Sequence, residues 1–200
     1  MNATTAGARP RRARLASWAL VLLLAAVAAI PLAALWQAFG PKANLAPDFT
    51  LTDQNGRPFT LSSLRGSPVV IFFGYTHCPD TCPTTLAKLA RAVRSPAAPH
   101  DVRVAFVSVD PARDTPAVLK AYLQLFNPRF VGLTGSFQNL DPVYSEYHTW
   151  RQDVPVHHGA EYSVAHGATL TFIGRGGAIR GYGTWDDDLT TMIHDMKEFQ

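Results

Sequence analysis

The most informative part of the chain is residues 69–83, VVIFFGYTHCPDTCP, which hold both cysteines of the 200-residue sequence. The first five residues are β-branched or aromatic, with no polar residue among them, and this pattern predicts a strand buried on both faces. A helix is expected over residues 82–94, because apolar residues recur there at helical spacing. Cys78 and Cys82 therefore lie where a buried strand passes into a helix.

Further strands and helices are predicted on both sides of this unit. Asn55-Gly56, between two segments that alternate apolar and polar residues, is a hairpin signal. The other expected elements are a buried strand over 102–109, a helix containing 119–126 after Asp114-Thr115-Pro116, a helix over 136–150, a strand pair at 168–173 and 178–182, and a final helix over 187–199. This order predicts an α/β, thioredoxin-like fold over residues 47–200, with a mixed sheet and helices on both of its faces.

The spacing of Cys78 and Cys82 gives the pair two chemical uses. Positions i and i+4 of a helix share a face with Cβ atoms about 5–6 Å apart, which suits two thiolates on one metal ion or a disulfide closed by modest adjustment. The helix N-terminus favours thiolates, the form that binds metals and attacks disulfides. A purely structural disulfide is the weaker interpretation, because so short a loop gains little loop-closure entropy. We therefore interpret the pair as a functional dithiol.

Two thiolates are an incomplete ligand set for most metals, so a third ligand is sought among the seven histidines. His166 stands just before the strand expected from Ala168, while His157 and His158 lie in a polar segment that is either a solvated loop or an auxiliary site. The histidines without an evident role are His77, His100, His148 and His194. Two sulfurs and an imidazole favour Cu(I) and could also hold Cu(II), whereas zinc would require a fourth ligand.

The charge distribution separates an N-terminal segment from the rest of the chain. Residues 1–14 contain four arginines and no acidic residue, and the remainder has 14 basic against 15 acidic residues, so it offers no cationic surface to nucleic acid. Residues 15–36 carry no charge and would form a helix about 33 Å long, which predicts a transmembrane anchor. A cleaved signal peptide is the alternative, disfavoured by the length of the apolar run. Residues 37–46 are expected to link this anchor to the domain at 47–200.

The same segment predicts a location. Arginines stay on the cytoplasmic side of a membrane, so the chain is expected to cross once and to place its domain on the far side. The short leader before the apolar run favours a bacterial inner (plasma) membrane, with the domain facing the periplasm.

Four segments of the chain resemble the Sco/SenC family, membrane-anchored copper-binding proteins that assist cytochrome c oxidase assembly. They are residues 73–83 (FGYTHCPDTCP), 108–115 (SVDPARDT), 132–135 (GLTG) and 162–166 (YSVAH). The resemblance implies that Cys78, Cys82 and His166 bind one copper ion. It also implies that the copper passes to the copper A centre of oxidase subunit II or to another copper-receiving client, or that the dithiol reduces the cysteines of the copper A centre.

One position departs from the pattern of the family. Sco/SenC proteins usually carry an acidic residue before the histidine and a serine after it, where this chain has Ala165 and Gly167. A carboxylate beside the imidazole would orient it and raise its basicity. Glu161 or Asp153 could take that place in space, and the sequence leaves this open.

The sequence thus predicts a copper metallochaperone and leaves two alternatives. A thiol–disulfide oxidoreductase would use Cys78 as the attacking thiol and Cys82 as the resolving one, but it would have no need of His166. A peroxidase would require an activating arginine beside its reactive cysteine. That interpretation rests on the entry sequence Ala46-Pro47-Asp48-Phe49 alone.

Overall fold

The computed structural model describes residues 44–156 and 162–198. The strands in chain order are β1 (Thr50–Asp53), β2 (Pro58–Thr60), β3 (Val69–Gly74), β4 (Arg103–Ser108), β5 (Val131–Thr134), β6 (Arg151–Pro155), β7 (Tyr162–His166), β8 (Thr169–Ile173) and β9 (Ile179–Thr184). The helices are α1 (Thr81–Ala92), α2 (Pro116–Gln124), α3 (Phe137–Glu146) and α4 (Leu189–Glu198), with a 3-10 helix at Leu61–Leu64. The anchor predicted at 15–36 lies outside the described residues, and no helix within them is long and apolar enough to span a membrane.

Seven of the strands form one mixed sheet in the order β2-β1-β5-β4-β3-β8-β9. The central strands β3, β4 and β5 are parallel, and the outer pairings are antiparallel. Strand β3 lies between β4 and β8, and all six of its residues are buried, as its apolar sequence predicts. The cysteine turn therefore emerges from the middle of the sheet.

Helices cover both faces of this sheet. Phe72 and Phe73 are consecutive in β3, so their side chains point to opposite faces. Phe72 packs with Phe106 of β4, whose ring in turn meets Tyr122 of α2 with a centroid separation of 6.1 Å. Phe73 packs against Tyr144 of α3, with ring centroids 6.2 Å apart. The mixed sheet and the two-sided packing predicted from the sequence are both confirmed.

Strands β6 and β7 form a separate two-stranded sheet that the sequence did not predict. Strand β6, RQDVP, has an exposed or half-exposed residue at every position, so it lacks the alternation that marks a half-buried strand. Strand β5 was also missed, since it is only four residues long and contains a glycine. His166 is consequently the last residue of a strand and does not lie in a loop.

The helix predicted over 136–150 ends earlier, at Glu146. His148 adopts a positive φ of 53°, and the N–H groups of His148 and Thr149 donate to the carbonyls of Ser145 and Tyr144. These are the paired hydrogen bonds of a Schellman C-cap, which satisfy the last carbonyls of the helix. Because the helix ends early, the residues that follow it are available to form β6.

Candidate metal centre

The two cysteines lie on either side of the start of α1. Cys78 is half-buried in the turn after β3, and Cys82 is the second residue of α1 and is fully buried. The backbone N–H of Cys82 points at Cys78 Sγ at 3.4 Å, and both thiols are free. Gly74 is required beside them, because a Cβ there would lie 3.0 Å from Cys82 Sγ and 2.7 Å from Phe106 Cε2.

His166 faces the cysteine pair from the end of β7. Its Nε2 lies 3.8 Å from Cys82 Sγ, and its Nδ1 lies 2.9 Å from the carbonyl oxygen of Gly167. A carbonyl only accepts hydrogen bonds, so Nδ1 carries the ring proton and the lone pair of Nε2 is turned towards the sulfur. The ring stands edge-on to Tyr75, with centroids 5.8 Å apart. The chain thus brings together the three residues that the resemblance implied.

Cys78 and His166 line one open cleft of about 390 Å³, while Cys82, which contacts both, is fully buried. Trp150 and Trp185 stand at its edge with 54% and 44% of their surface exposed. No preformed cage of three or more His, Cys, Asp and Glu side chains is present within 44–156 and 162–198. The residues meet instead as a thiol–thiol pair and a thiol–imidazole pair that share Cys82.

The two thiols have opposite acidities. A hydrogen bond from the Cys82 thiol, with further bonds from the backbone N–H groups of Cys82 and Asp80, lowers the pKa of Cys78 to about 5 against the opposing effect of burial. Donating that hydrogen bond raises the pKa of Cys82 well above its ordinary value, and burial raises it further. Cys78 is therefore a thiolate at neutral pH and the more reactive sulfur, while Cys82 keeps its proton.

Cys78 is expected to react with iodoacetamide faster than Cys82. Because its folded pKa is depressed, its thiolate forms as pH rises through about 5, and its alkylation rate should level off by about pH 7. A cysteine with the ordinary pKa of about 8.5 would still gain reactivity up to about pH 9. Mass spectrometry of peptides alkylated for short times at each pH measures both rates.

The Cys82→Ala variant is the control for this pH profile. It removes the thiol that donates to Cys78, so the midpoint of the Cys78 profile should move upward towards the ordinary value. A profile of Cys78 that keeps rising beyond pH 8 in the wild-type chain would contradict the assignment of the thiolate.

The remaining candidate residues lie apart from this centre or outside the described residues. Asp153 pairs with Arg151 on its own strand. Glu161, His157 and His158 are outside the described residues. His77 is exposed beside Thr76, whose hydroxyl lies 3.0 Å from His77 Nδ1. The other histidines are exposed on the surface of the domain: His100, His148 and His194.

Sequence reasoning missed three groups of the centre. The Gly167 carbonyl that orients His166 is a backbone atom, and no residue type announces it. Trp150 and Trp185 are 35 residues apart in the sequence, and only the assembled fold brings both to the cleft. Tyr75 could have been found, because it directly follows the buried strand and precedes the cysteines.

The model of the SCO1/SenC protein family matches residues 37–200. The chain belongs to the SCO1/SenC family. A putative copper-binding protein of Stutzerimonas stutzeri is 36% identical over 144 residues, which make up 71% of this chain and 70% of that protein. An SCO2-like protein of Rickettsia felis is 41% identical over 119 residues, which make up 58% of each chain. The match thus spans less than two thirds of the Rickettsia protein.

Solved structures of the family share the fold. ScoI of Bradyrhizobium japonicum, determined with copper bound, is 37% identical to this chain with a TM-score of 0.69. The superposition covers 78% of this chain and 99% of ScoI. The thioredoxin-like mixed α/β fold is therefore that of a SCO1/SenC protein.

Proposed function

We propose that this chain is a membrane-anchored copper metallochaperone that binds one copper ion through Cys78, Cys82 and His166. The observation that carries the proposal is the 3.8 Å approach of His166 Nε2 to Cys82 Sγ, with the Nε2 lone pair turned towards the sulfur. Membership of the SCO1/SenC family supports it, as does the copper bound by ScoI of B. japonicum.

The separation of the donor atoms fits a shared metal ion. Metal–sulfur and metal–nitrogen bonds of about 2.3 and 2.0 Å at a trigonal angle place the two donors about 3.7 Å apart. Two soft sulfurs with one imidazole favour Cu(I), and the same set can hold Cu(II). Cys78 enters as a thiolate, so copper has to displace a proton only from Cys82.

The open cleft suits a protein that hands its copper on. A partner can bring its own thiolate or imidazole to the ion and replace the three ligands one at a time. We take the copper A centre of cytochrome c oxidase subunit II as the receiving site, and a bacterial inner membrane with the domain in the periplasm as the location. Family membership and the anchor predicted at 15–36 support these two points.

Spectroscopy of the copper-loaded, full-length chain in detergent tests the proposal. One equivalent of Cu(II) should give thiolate-to-copper charge-transfer absorption, and the same chain loaded with Cu(I) should transfer its metal to the apo copper A domain of subunit II. Binding of less than one copper per chain, or copper without charge-transfer bands, would contradict the proposed ligands.

A thiol–disulfide oxidoreductase is the second candidate, favoured by the depressed pKa of Cys78. The Cys78 thiolate would attack a client disulfide, form a mixed disulfide and release one client thiolate. Cys82, after losing its proton, would then attack Cys78, release the second client thiolate and leave the Cys78–Cys82 disulfide. His166→Ala should abolish the metal-dependent function and leave this exchange intact, so the variant separates the two roles.

A further inference from the structure

We propose that the turn formed by residues 110–114, here the aspartate turn, sets the distance between the cysteines and His166. It connects β4 to α2, and its side chains reach both halves of the proposed copper site. Asp114 holds the segment that leads into the cysteine turn, and Asp110 and Arg113 hold the start of β7. The inference rests on the proposed function, and it makes these three residues positioning residues for the copper ligands.

Asp114 fastens the cysteine side of the site. Its buried carboxylate accepts from the Thr76 hydroxyl at 2.6 Å, from the Thr76 backbone N–H at 3.2 Å and from the Ser108 hydroxyl at 2.6 Å. Thr76 lies two residues before Cys78. The carboxylate therefore ties the segment that precedes Cys78 to the end of β4.

Asp110 and Arg113 fasten the histidine side. Arg113 pairs with Asp110 through Nε and donates from Nη1 to the carbonyl of Tyr162 at 2.9 Å, while Tyr162 donates its hydroxyl to Asp110 at 2.7 Å. The guanidinium also stacks on the Tyr162 ring, 3.8 Å from its centroid. These contacts grip both the backbone and the side chain of the first residue of β7.

These contacts matter because, in the part of the chain that the structure describes, no backbone ladder joins the β6-β7 sheet to the seven-stranded sheet. Residues 167 and 168 tether the His166 end of β7 to β8, and the opposite end is held by the contacts of Tyr162. Between the two ends, the Tyr75 hydroxyl shares a hydrogen bond of 3.0 Å with Ser163 Oγ and accepts one of 3.4 Å from the backbone N–H of Val164. Side-chain contacts thus decide how β7 presents His166 to Cys82.

Arg113→Lys is the most informative substitution. Lysine keeps the positive charge beside Asp110 but loses the planar fork that reaches the Tyr162 carbonyl. Asp110→Ala is a poorer test, because it would leave the arginine charge without its partner. We expect Arg113→Lys to weaken Cu(I) binding by the full-length chain about 10-fold, as is typical for the loss of a group that orients a ligand.

A double-mutant cycle separates positioning from general damage. In the His166→Ala background, Arg113→Lys should cause no further loss of Cu(I) affinity, because the ligand it positions is gone. Arg175→Lys is the matched control, since Arg175 also donates to an aspartate, Asp101, and to a backbone carbonyl, that of Gly66. It should leave Cu(I) affinity unchanged.

Tyr162→Phe gives a second and gentler variant. It keeps the ring under Arg113 and the backbone carbonyl, and it removes only the hydroxyl that donates to Asp110. The proton resonances of the His166 ring should shift in the copper-free variants, because that ring stands edge-on to Tyr75.

The proposal is overturned if Arg113→Lys weakens copper binding equally with and without His166, or if neither variant moves the His166 resonances. If the wild-type chain itself fails to bind copper, the proposed function fails. The resonances of the copper-free chain then still decide whether the aspartate turn positions β7.

Discussion

The Cys82→Ala chain is expected to bind Cu(I) more than about 100-fold more weakly than the wild type, a larger effect than the loss of a group that only orients a ligand. Cys82 is the sulfur shared by both pairs of the centre, since its thiol contacts Cys78 on one side and His166 on the other. Its removal leaves one sulfur and one imidazole without a common neighbour. Competition with a Cu(I) chelator of known affinity, on the reduced full-length chain, measures the loss.

Two histidine variants serve as a matched pair in the same titration. His166→Ala should weaken binding strongly, whereas His77→Ala should leave it unchanged although His77 adjoins Cys78 in the sequence. His77 is exposed and interacts with Thr76, while His166 turns Nε2 towards Cys82. Equal losses for the two variants, or equimolar tight copper on the Cys82→Ala chain, would contradict the proposed ligand set.

The sequence predicts the part of the site that local pattern determines. Strand β3, the cysteine turn and the start of α1 are contiguous, and each has a strong signal of its own: buried β-branched residues, two prolines and helical spacing. The choice of His166 over the other histidines came only from the resemblance. His166 lies 84 residues after Cys82, on a strand whose sequence has only a weak pattern, so local sequence does not predict that the two residues meet. Strand β6 has no buried residue, so its sequence carries no pattern that predicts a strand. It forms a strand because it pairs with β7 in the folded domain.

The chain has Ala165 where the family usually has an acidic residue, and a backbone carbonyl orients the histidine instead. The carboxylate expected beside His166 is replaced in its orienting role by the Gly167 carbonyl, which accepts from Nδ1. Glycine also suits this position, because a Cβ at residue 167 would approach Thr149 Oγ1 to 2.8 Å. A carbonyl orients the ring as a carboxylate would, but it carries no formal charge. The tautomer and orientation of the imidazole are therefore fixed by a neutral backbone group.

Phe106→Ala is expected to lower the free energy of unfolding by about 3–5 kcal/mol, a large share of the roughly 5–15 kcal/mol typical of a domain. Phe106 is fully buried in β4, with its ring between those of Phe72 and Tyr122 and against Gly74. Its loss opens a cavity beside Gly74, and Cys82 Sγ lies on the same side of that glycine. Alkylation of Cys82 should therefore accelerate in the variant while Cys78 reacts as before.

Leu125→Ala, at a side chain 78% exposed, is the control and should change stability by less than about 0.5 kcal/mol. Urea unfolding followed by circular dichroism measures the free energy of unfolding of both variants. A loss below about 1 kcal/mol in Phe106→Ala, with Cys82 still protected from alkylation, would contradict the prediction. It would mean that neighbouring side chains fill the cavity and that the packing behind the cysteines does not depend on the Phe106 ring.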